Sequence, residues 1–279
     1  MNVKVTWLTD ADGTLWYENP MIPSLMETSR FISKYSNLTA TEVFDYLIKV
    51  HEYRLFNGEY IGAYDWESIT MYTIERVCDD KSIMSKALRV LYEAFHENLS
   101  HIKLLDDVLE ALKYAKENNI SIVIVSNGLG KYMDKVLEAS GLSKFIDDIV
   151  TPDRVRAYWA PPIKPFRPIF IQAMKLAPAN RYVMIGNNLL FDIIGALRSG
   201  VDKAYIIRQR ARDNLEEAVR VAKALDKEVN VQLDGSILKS LEIIISKNKN
   251  NKNTLFTYVN TWNEIIIYEE GMGILRKPY

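Results

Sequence analysis

The chain has 279 residues, of which 48% are hydrophobic and 25% are charged, which is ordinary for a globular protein. Its formal net charge is −1, so the overall charge does not indicate a general basic surface for nucleic acid. Cys78 is the single cysteine, which excludes an intrachain disulfide and a metal cluster held by several thiolates. No apolar run reaches the ~18 residues that suggest a membrane span, and the N-terminus lacks the pattern of a signal peptide. We therefore expect a cytoplasmic protein without a membrane partner.

The first predicted element is a strand over residues 3–9, which are rich in β-branched and aromatic side chains. It leads into DADGTL, residues 10–15, in which Asp10 and Asp12 stand one residue apart. Neighbouring carboxylates repel each other, and a desolvated charge is costly unless a positive charge compensates it. The pair therefore indicates either a solvated turn or a site built for a cation or for acid–base chemistry.

Residues 17–100 show helical spacing of apolar side chains and no convincing strand. Thr39, followed three residues later by Glu42, forms a capping-box pattern at the start of one helix. The stretch predicts an inserted all-helical domain.

One part of this helical stretch is rich in aromatic residues. Aromatic side chains at helical spacing are usually core residues. The alternative is a specificity pocket over an active site, with Tyr53, Arg54 and Tyr60 as candidates. Arg54 is then a candidate partner for a second anionic group on the substrate.

After about residue 103 the pattern changes to alternating helices and strands. The run SIVIV at residues 121–125 is too apolar for a strand with one face in water, and it suits a parallel strand buried on both faces. The alternation predicts an α/β fold with a doubly wound, Rossmann-like parallel sheet. Further strands are expected at residues 181–186, 203–208 and 229–235, and residues 145–150 form a short segment after a helix.

The predicted organisation has three parts. Residues 1–16 and 101–245 form the α/β core, and residues 17–100 form the helical insertion. A C-terminal extension covers residues 246–279, in which a polar break at 246–253 precedes two or three short strands.

Polar side chains follow several of the predicted strands. Ser126 and Asn127 follow one strand, Asn187 and Asp192 follow another, and Lys164 lies in a Pro-rich loop. Ligands of open α/β sheets bind at the carboxyl ends of the strands. Together with the two aspartates near the N-terminus, these residues offer carboxylates for a hard cation, a hydroxyl for phosphate and one ammonium group.

In these segments the chain resembles the haloacid dehalogenase-like hydrolase superfamily, whose members are mostly magnesium-dependent phosphatases. DADGTL matches the first motif of the superfamily, and VSNG, IKP and IGNNLLFDIIGALRSG match the second, third and fourth. Their order and spacing fit over roughly residues 3–245. The helical stretch lies where many relatives carry a four-helix cap.

The resemblance implies a role for each matching residue. Asp10 would be the nucleophile that forms an aspartyl-phosphate. Asp12 would protonate the leaving alcohol and then deprotonate the hydrolytic water, and Lys164 would neutralise charge on the phosphoryl group. The phosphate would be bound by Thr14, Ser126, Asn127 and Gly128, and Mg²⁺ by Asp10, Asp12, Asn187 and Asp192.

Asn187 departs from the superfamily pattern, because phosphatase relatives usually carry an aspartate there. An amide oxygen can ligate Mg²⁺, but one negative charge is lost, so we expect weaker magnesium binding than in those relatives.

Three functions remain open from the resemblance. The first is a magnesium-dependent phosphomonoesterase acting on a small phosphorylated metabolite. The second is a haloacid dehalogenase, which forms a carboxylic ester and needs no metal. The third is a degenerate member that binds a ligand without turnover. Dehalogenases of this type carry an aromatic residue at the position of Asp12, which favours the phosphatase. The chain is expected to be a monomer or a homodimer.

Overall fold

The computed structural model describes residues 3–157, 159–228, 234–250 and 254–271. Its centre is a six-stranded sheet in which every neighbouring pair of strands is parallel. The order β3-β2-β1-β4-β5-β6 is a doubly wound arrangement, which confirms the predicted fold class. The strands are β1 (Val5–Thr9), β2 (Ser121–Val125), β3 (Asp148–Val150), β4 (Arg181–Gly186), β5 (Lys203–Ile207) and β6 (Phe256–Val259).

The central strand β1 organises the sheet. All five of its residues are buried, as expected of a parallel strand that is covered on both faces. Trp7 pairs in register with Ile122 of β2 and with Val183 of β4. The sheet grows through β2 and β3 on one side of β1 and through β4, β5 and β6 on the other. This reversal opens a crevice at the carboxyl ends of β1 and β4, which is where ligands bind in such folds.

The stretch between β1 and β2 begins with four long helices, and the described residues 21–99 contain no strand of the sheet. The helical character predicted for this stretch is confirmed. Thr39 forms the expected capping box with Glu42: each residue's side chain accepts the backbone N–H of the other. The helices are α1 (Met21–Ser33), α2 (Ala40–Phe56), α3 (Trp66–Val77) and α4 (Met84–Leu99).

Seven further α-helices, five short 3-10 turns and a π-helical turn, Leu189–Ile194, make up the rest of the described helical structure. Successive side chains of a strand point to opposite faces, so Trp7 and Leu8 belong to two separate core clusters, one on each side of the sheet. None of the described helices is long and apolar enough to cross a membrane. The helices are α5 (Val108–Glu117), α6 (Gly130–Ala139), α7 (Arg167–Leu176), α8 (Gly195–Arg198), α9 (Leu215–Glu228), α10 (Ile237–Asn250) and α11 (Trp262–Gly271).

The C-terminal region differs from the prediction. Helix α10 continues through most of the polar segment that was expected to be a break. Instead of two or three strands, the described part of the extension contains one strand, β6, and one helix, α11. The β-branched run at residues 265–267 favoured a strand from sequence, but α11 packs against α5, and tertiary packing overrides local propensity. The strand expected at residues 229–235 falls mainly outside the described residues.

A buried ion pair fastens α11 to the sheet. Glu269 is fully buried, and its carboxylate accepts hydrogen bonds from Arg181 on β4 at 3.0 and 3.2 Å. The hydroxyl of Tyr205 on β5 donates to the same carboxylate at 2.7 Å. The C-terminal helix is therefore part of the core rather than an appendage.

We expect Glu269→Ala to lower the free energy of unfolding by about 3 kcal/mol, because it leaves Arg181 without its buried partner. Urea denaturation measures the loss. Glu138→Ala, at an exposed position on α6, is the matched control and should cost less than about 0.5 kcal/mol. Equal costs for the two variants would contradict the structural role of Glu269.

Candidate active site

A buried lysine joins two carboxylates at the carboxyl edge of the sheet. The Nζ atom of Lys164 lies 2.6 Å from Oδ1 of Asp10 and 2.7 Å from Oδ1 of Asp192. All three residues are buried. Burial opposes the charge on Lys164, but the two carboxylates outweigh it and raise the pKa of the lysine. The structure thus brings together three of the predicted site residues, from the end of β1, the loop before α7 and the turn after β4.

Asp192 is held from both of its oxygens. While Oδ1 accepts from Lys164, Oδ2 accepts the backbone N–H groups of Asn187 and Asn188 at 3.1 and 2.9 Å. Burial and then the charge of Asp10 raise its pKa, whereas Lys164 lowers it. A Cβ atom on Gly186 would lie 2.5 Å from the Cβ of Asp192, so only glycine fits before this loop.

Hydrogen bonds to strand β4 and to the following loop position Asp10. Its N–H donates to the carbonyl of Ile185 at 2.8 Å, which continues the pairing of β1 with β4. Its Oδ2 accepts the hydroxyl of Thr14 at 3.1 Å. The carbonyl of Thr14 in turn accepts the indole N–H of Trp262 at 2.9 Å. Thr14 was predicted to bind phosphate, whereas its hydroxyl here donates to Asp10.

Asp12 lies beside this cluster with both carboxylate oxygens occupied. Oδ1 accepts the indole N–H of Trp16 at 2.7 Å, and Oδ2 accepts the side-chain amide of Asn19 at 2.9 Å. Burial, with a contribution from the charge of Asp10, raises the pKa of Asp12 to about 6 against these donors and Lys164. A carboxyl group with such a pKa can both give and take a proton near neutral pH.

The loop that follows Asp12 packs closely against the side chain of Asn187. Gly13 has a positive φ of 77°, and a Cβ atom there would lie 2.2 Å from Nδ2 of Asn187. That Nδ2 atom donates to the backbone carbonyl of Asp12 at 3.0 Å. Glycine is therefore needed at this position for both the backbone conformation and the close approach of Asn187.

The segment after β2 brings a serine hydroxyl to the site and holds the backbone of Lys164. The N–H of Gly128 donates to Oγ of Ser126 at 3.0 Å, and no described residue receives the hydrogen of the Ser126 hydroxyl. The Asn127 side chain instead clamps the loop of Lys164: it accepts the Lys164 N–H at 2.7 Å and donates to the Lys164 carbonyl at 3.4 Å. It also donates to the hydroxyl of Tyr64 at 3.0 Å. The Asn127 side chain, predicted to bind phosphate, is thus engaged in positioning Lys164.

Comparison with protein families assigns the chain to one of them. A family model described as haloacid dehalogenase-like hydrolase matches residues 10–206, a range that contains every residue of the cluster around Lys164. The chain belongs to this hydrolase family. A comparison with curated protein sequences gives no match.

Solved structures of other family members share the fold of this hydrolase. A HAD phosphatase from Thermococcus onnurineus is 20% identical and has a TM-score of 0.60, covering 99% of this chain and 100% of its own. An L-2-haloacid dehalogenase from Xanthobacter autotrophicus is 16% identical with a TM-score of 0.54, over 97% and 99% of the two chains. The magnesium-bound HAD hydrolase YfnB from Bacillus subtilis is also 16% identical, with a TM-score of 0.54 over 79% and 99%. At these identities the likeness establishes the fold and leaves the reaction open.

The donor set of the hydrolase suits a hard cation, although it is poor in acids. The side chain of Asn187 contacts the Asp12 carbonyl, two residues after the Asp10 carboxylate, and carboxylate, carbonyl and amide oxygens are the ligands that Mg²⁺ takes. The described residues contain no group of three acidic, histidine or cysteine side chains that could hold a metal. Asp192 already accepts three hydrogen bonds. The residues therefore fit Mg²⁺ with the carboxylate of Asp10 and one amide, so that weak binding stays the expectation.

The helical region between β1 and β2 contacts the segments that surround the site. Tyr64 reaches Asn127 as described above. On the adjacent surface, Lys131 at the start of α6 forms ion pairs with Asp65 at 2.9 Å and with Glu67 at 2.7 Å. These contacts place the helical region against the carboxyl edge of the sheet, which is the position expected of a cap.

Arg54, a candidate for binding a substrate anion, has its guanidinium engaged within the helical region. Its guanidinium donates to the carbonyl of Gly62 at 2.9 Å and to Oγ of Ser68 at 2.5 Å. It also lies over the ring of Tyr72. Arg54 therefore holds the helical region together.

The two tyrosines predicted with Arg54 have different environments. Tyr53 is 61% exposed on the surface of α2. The ring of Tyr60 packs edge-on against Phe166, with 5.7 Å between the ring centroids. Phe166 follows the loop of Lys164, so Tyr60 supports that loop from the helical region.

Sequence reasoning missed four residues that hold the site: Trp16, Asn19, Tyr64 and Trp262. Trp16 and Asn19 lie within seven residues of Asp12, so proximity along the chain was a usable signal. Tyr64 and Trp262 are distant from their partners in sequence, and nothing in the local pattern identifies them.

We expect Trp262→Phe to destabilise the hydrolase more than Trp7→Phe does. Both indoles are fully buried, but the Nε1 of Trp7 has no hydrogen-bond partner among the described residues, whereas that of Trp262 donates to Thr14. The difference should be about 1–2 kcal/mol, the cost of leaving a carbonyl unsatisfied. Chemical denaturation of the two variants measures it. A loss at Trp7 equal to or larger than that at Trp262 would contradict this role of the hydrogen bond.

Proposed function

We propose that this hydrolase is a magnesium-dependent phosphomonoesterase that acts on a small phosphorylated metabolite through an aspartyl-phosphate. The observation that carries the proposal is Asp12, a partly buried acid two residues after Asp10 whose pKa of about 6 suits proton transfer. Hydrolysis of an ester phosphate needs an acid for the leaving oxygen and a base for water, and one group beside the nucleophile can do both.

The residues can be assigned to two steps. In the first, a carboxylate oxygen of Asp10 attacks phosphorus, the bond from phosphorus to the leaving oxygen breaks, and Asp12 gives its proton to that oxygen. In the second, Asp12 takes a proton from water as the water oxygen attacks phosphorus, and the bond to Asp10 breaks to release phosphate. Lys164 supplies positive charge beside the nucleophile throughout, and Ser126 has a hydroxyl hydrogen available for a phosphate oxygen.

Magnesium, when bound, would stabilise negative charge on the phosphoryl oxygens. Its protein ligands would be the Asp10 carboxylate, the Asp12 carbonyl and the oxygen of the Asn187 amide. In the structure the nitrogen of that amide faces the Asp12 carbonyl, so ligation requires the amide to turn over. Asp192, the fourth predicted metal residue, would act mainly by holding Lys164 and the loop of Asn187.

The second candidate is metal-independent dehalogenation of a haloacid. Asn187 favours this reaction, because its amide is neutral and phosphatase relatives carry an acid at the same position. Release of halide from a 2-haloacid in the presence of a chelator would support this reaction, whereas phosphate release that the chelator abolishes supports the phosphomonoesterase.

The experiment that tests the proposed function is phosphate release from p-nitrophenyl phosphate across a magnesium titration. We expect turnover that depends on Mg²⁺ and that Asp10→Asn abolishes, because this variant lacks the nucleophile. Asn187→Asp should lower the magnesium concentration for half-maximal rate by about 10-fold or more, because it restores a charged ligand.

Asn188→Asp is the matched control for added charge. The Asn188 side chain accepts the N–H groups of Leu190 and Phe191 in the following turn, so a carboxylate there adds the same charge one residue away from the metal ligands. The magnesium requirement should change little. A wild-type protein and an Asn187→Asp variant that both bind phosphorylated compounds without turnover at any magnesium concentration would identify a non-catalytic member instead.

A further inference from the structure

A cavity of about 420 Å³ lies beside Asp12, and Asp10, Lys164 and Asp192 are not among the residues that line it. One wall is formed by the segment after the first motif, residues 17–19, with Ile22 of α1. The other wall is formed by residues 209–212, which follow β5, and Asn187 lies at its base. A cavity of this size is within the range of small-molecule sites.

Two arginines of the second wall carry charges that the protein leaves uncompensated. Among the described residues, neither Arg210 nor Arg212 has a side-chain hydrogen bond or an ion pair. The acid next in sequence, Asp213, interacts with Tyr258 instead. The one exposed acid that lines the cavity is Glu18, so two guanidinium groups face a single free carboxylate.

The backbone and one aromatic ring fix both arginines in place. The N–H of Arg212 donates to the carbonyl of Asn187 at 2.6 Å, and its carbonyl accepts the N–H of Leu189 at 3.0 Å. The guanidinium of Arg210 lies over the ring of Tyr17, 4.8 Å from its centroid. These contacts hold the backbone of Arg212 and the side chain of Arg210 in place before any ligand arrives, which reduces the conformational entropy lost on binding.

We infer that Arg210 and Arg212 bind a second anionic group, a carboxylate or a phosphate, on the leaving-group half of the substrate. The guanidinium fork matches both of these groups in two-point hydrogen bonding. This inference rests on the proposed function: if Asp12 protonates the leaving oxygen, the leaving group must extend from Asp12, and the cavity opens there. In this inference the loop after β5, and not Arg54, binds the second anionic group of the substrate.

Three phosphate esters of equal carbon length test the inference. They are n-propyl phosphate, 3-(phosphonooxy)propanoate and propane-1,3-diol bisphosphate, which carry no second anion, a carboxylate and a phosphate. We expect kcat/KM for at least one dianionic ester to exceed that for n-propyl phosphate by about 10- to 100-fold, the effect of a charge-assisted hydrogen bond. Whichever ester is preferred identifies the class of the second anion.

In Arg210→Ala and in Arg212→Ala, the ratio between the preferred ester and n-propyl phosphate should fall towards one. Arg208→Ala is the matched control, because Arg208 belongs to the same loop but lies over Tyr258, outside the cavity lining. This variant should keep the wild-type ratio.

Calorimetric binding of the same three compounds, in the Asp10→Asn background with Mg²⁺, separates the inference from the proposed function. Arginine-dependent preference in binding, without turnover by the wild-type protein, would support the anion site and refute the phosphatase. Turnover with equal kcat/KM for the three esters, or a preference that survives in both arginine variants, would overturn the anion site.

Discussion

The bridge that Lys164 forms between Asp10 and Asp192 is the interaction on which the rest of the site depends. Two buried carboxylates this close to one ammonium would repel each other if that group were absent, and each would carry a large desolvation cost. Asp10 lies 154 residues before Lys164 and Asp192 lies 28 residues after it, so the bridge forms only when β1 and β4 are paired. Asn127, after β2, then fixes the backbone of Lys164. The geometry of the cluster is therefore a property of the whole sheet.

Much of this arrangement was predictable because parallel strands bring their carboxyl ends to one edge. The run at residues 121–125 identified a doubly buried strand, and the polar residues that follow β1 and β4 indicated where the cluster would form. The departure at Asn187 was also visible in the sequence. In the structure the Asn187 amide donates a hydrogen bond to the carbonyl of Asp12. This contact is possible because Gly13 has no side chain in the way, and motif spacing alone does not reveal it.

The parts that were not predictable depend on contacts between distant residues or on the exact path of a loop. Thr14 and Asn127 lie beside the cluster around Lys164, but their partners, Asp10 and Lys164, could be identified only in three dimensions. Arg54 was a candidate because it is a positive charge in an aromatic-rich segment. In the structure its guanidinium donates to the carbonyl of Gly62. The C-terminal helix was mistaken for strands because the β-branched run at residues 265–267 has a local preference that packing against α5 reverses.

Trp262 donates to a carbonyl that lies 248 residues earlier in the chain, and this has a consequence for synthesis on the ribosome. The loop of Asp10 is synthesised before the other strands of the sheet, and β1 can pair with β2 and β4 as those strands follow, since domains fold progressively during translation. The support beneath Thr14, however, arrives only with α11. A chain released before α11 is made would carry every motif residue of the cluster on a loop that lacks this support, so the cluster is complete only once α11 has been synthesised.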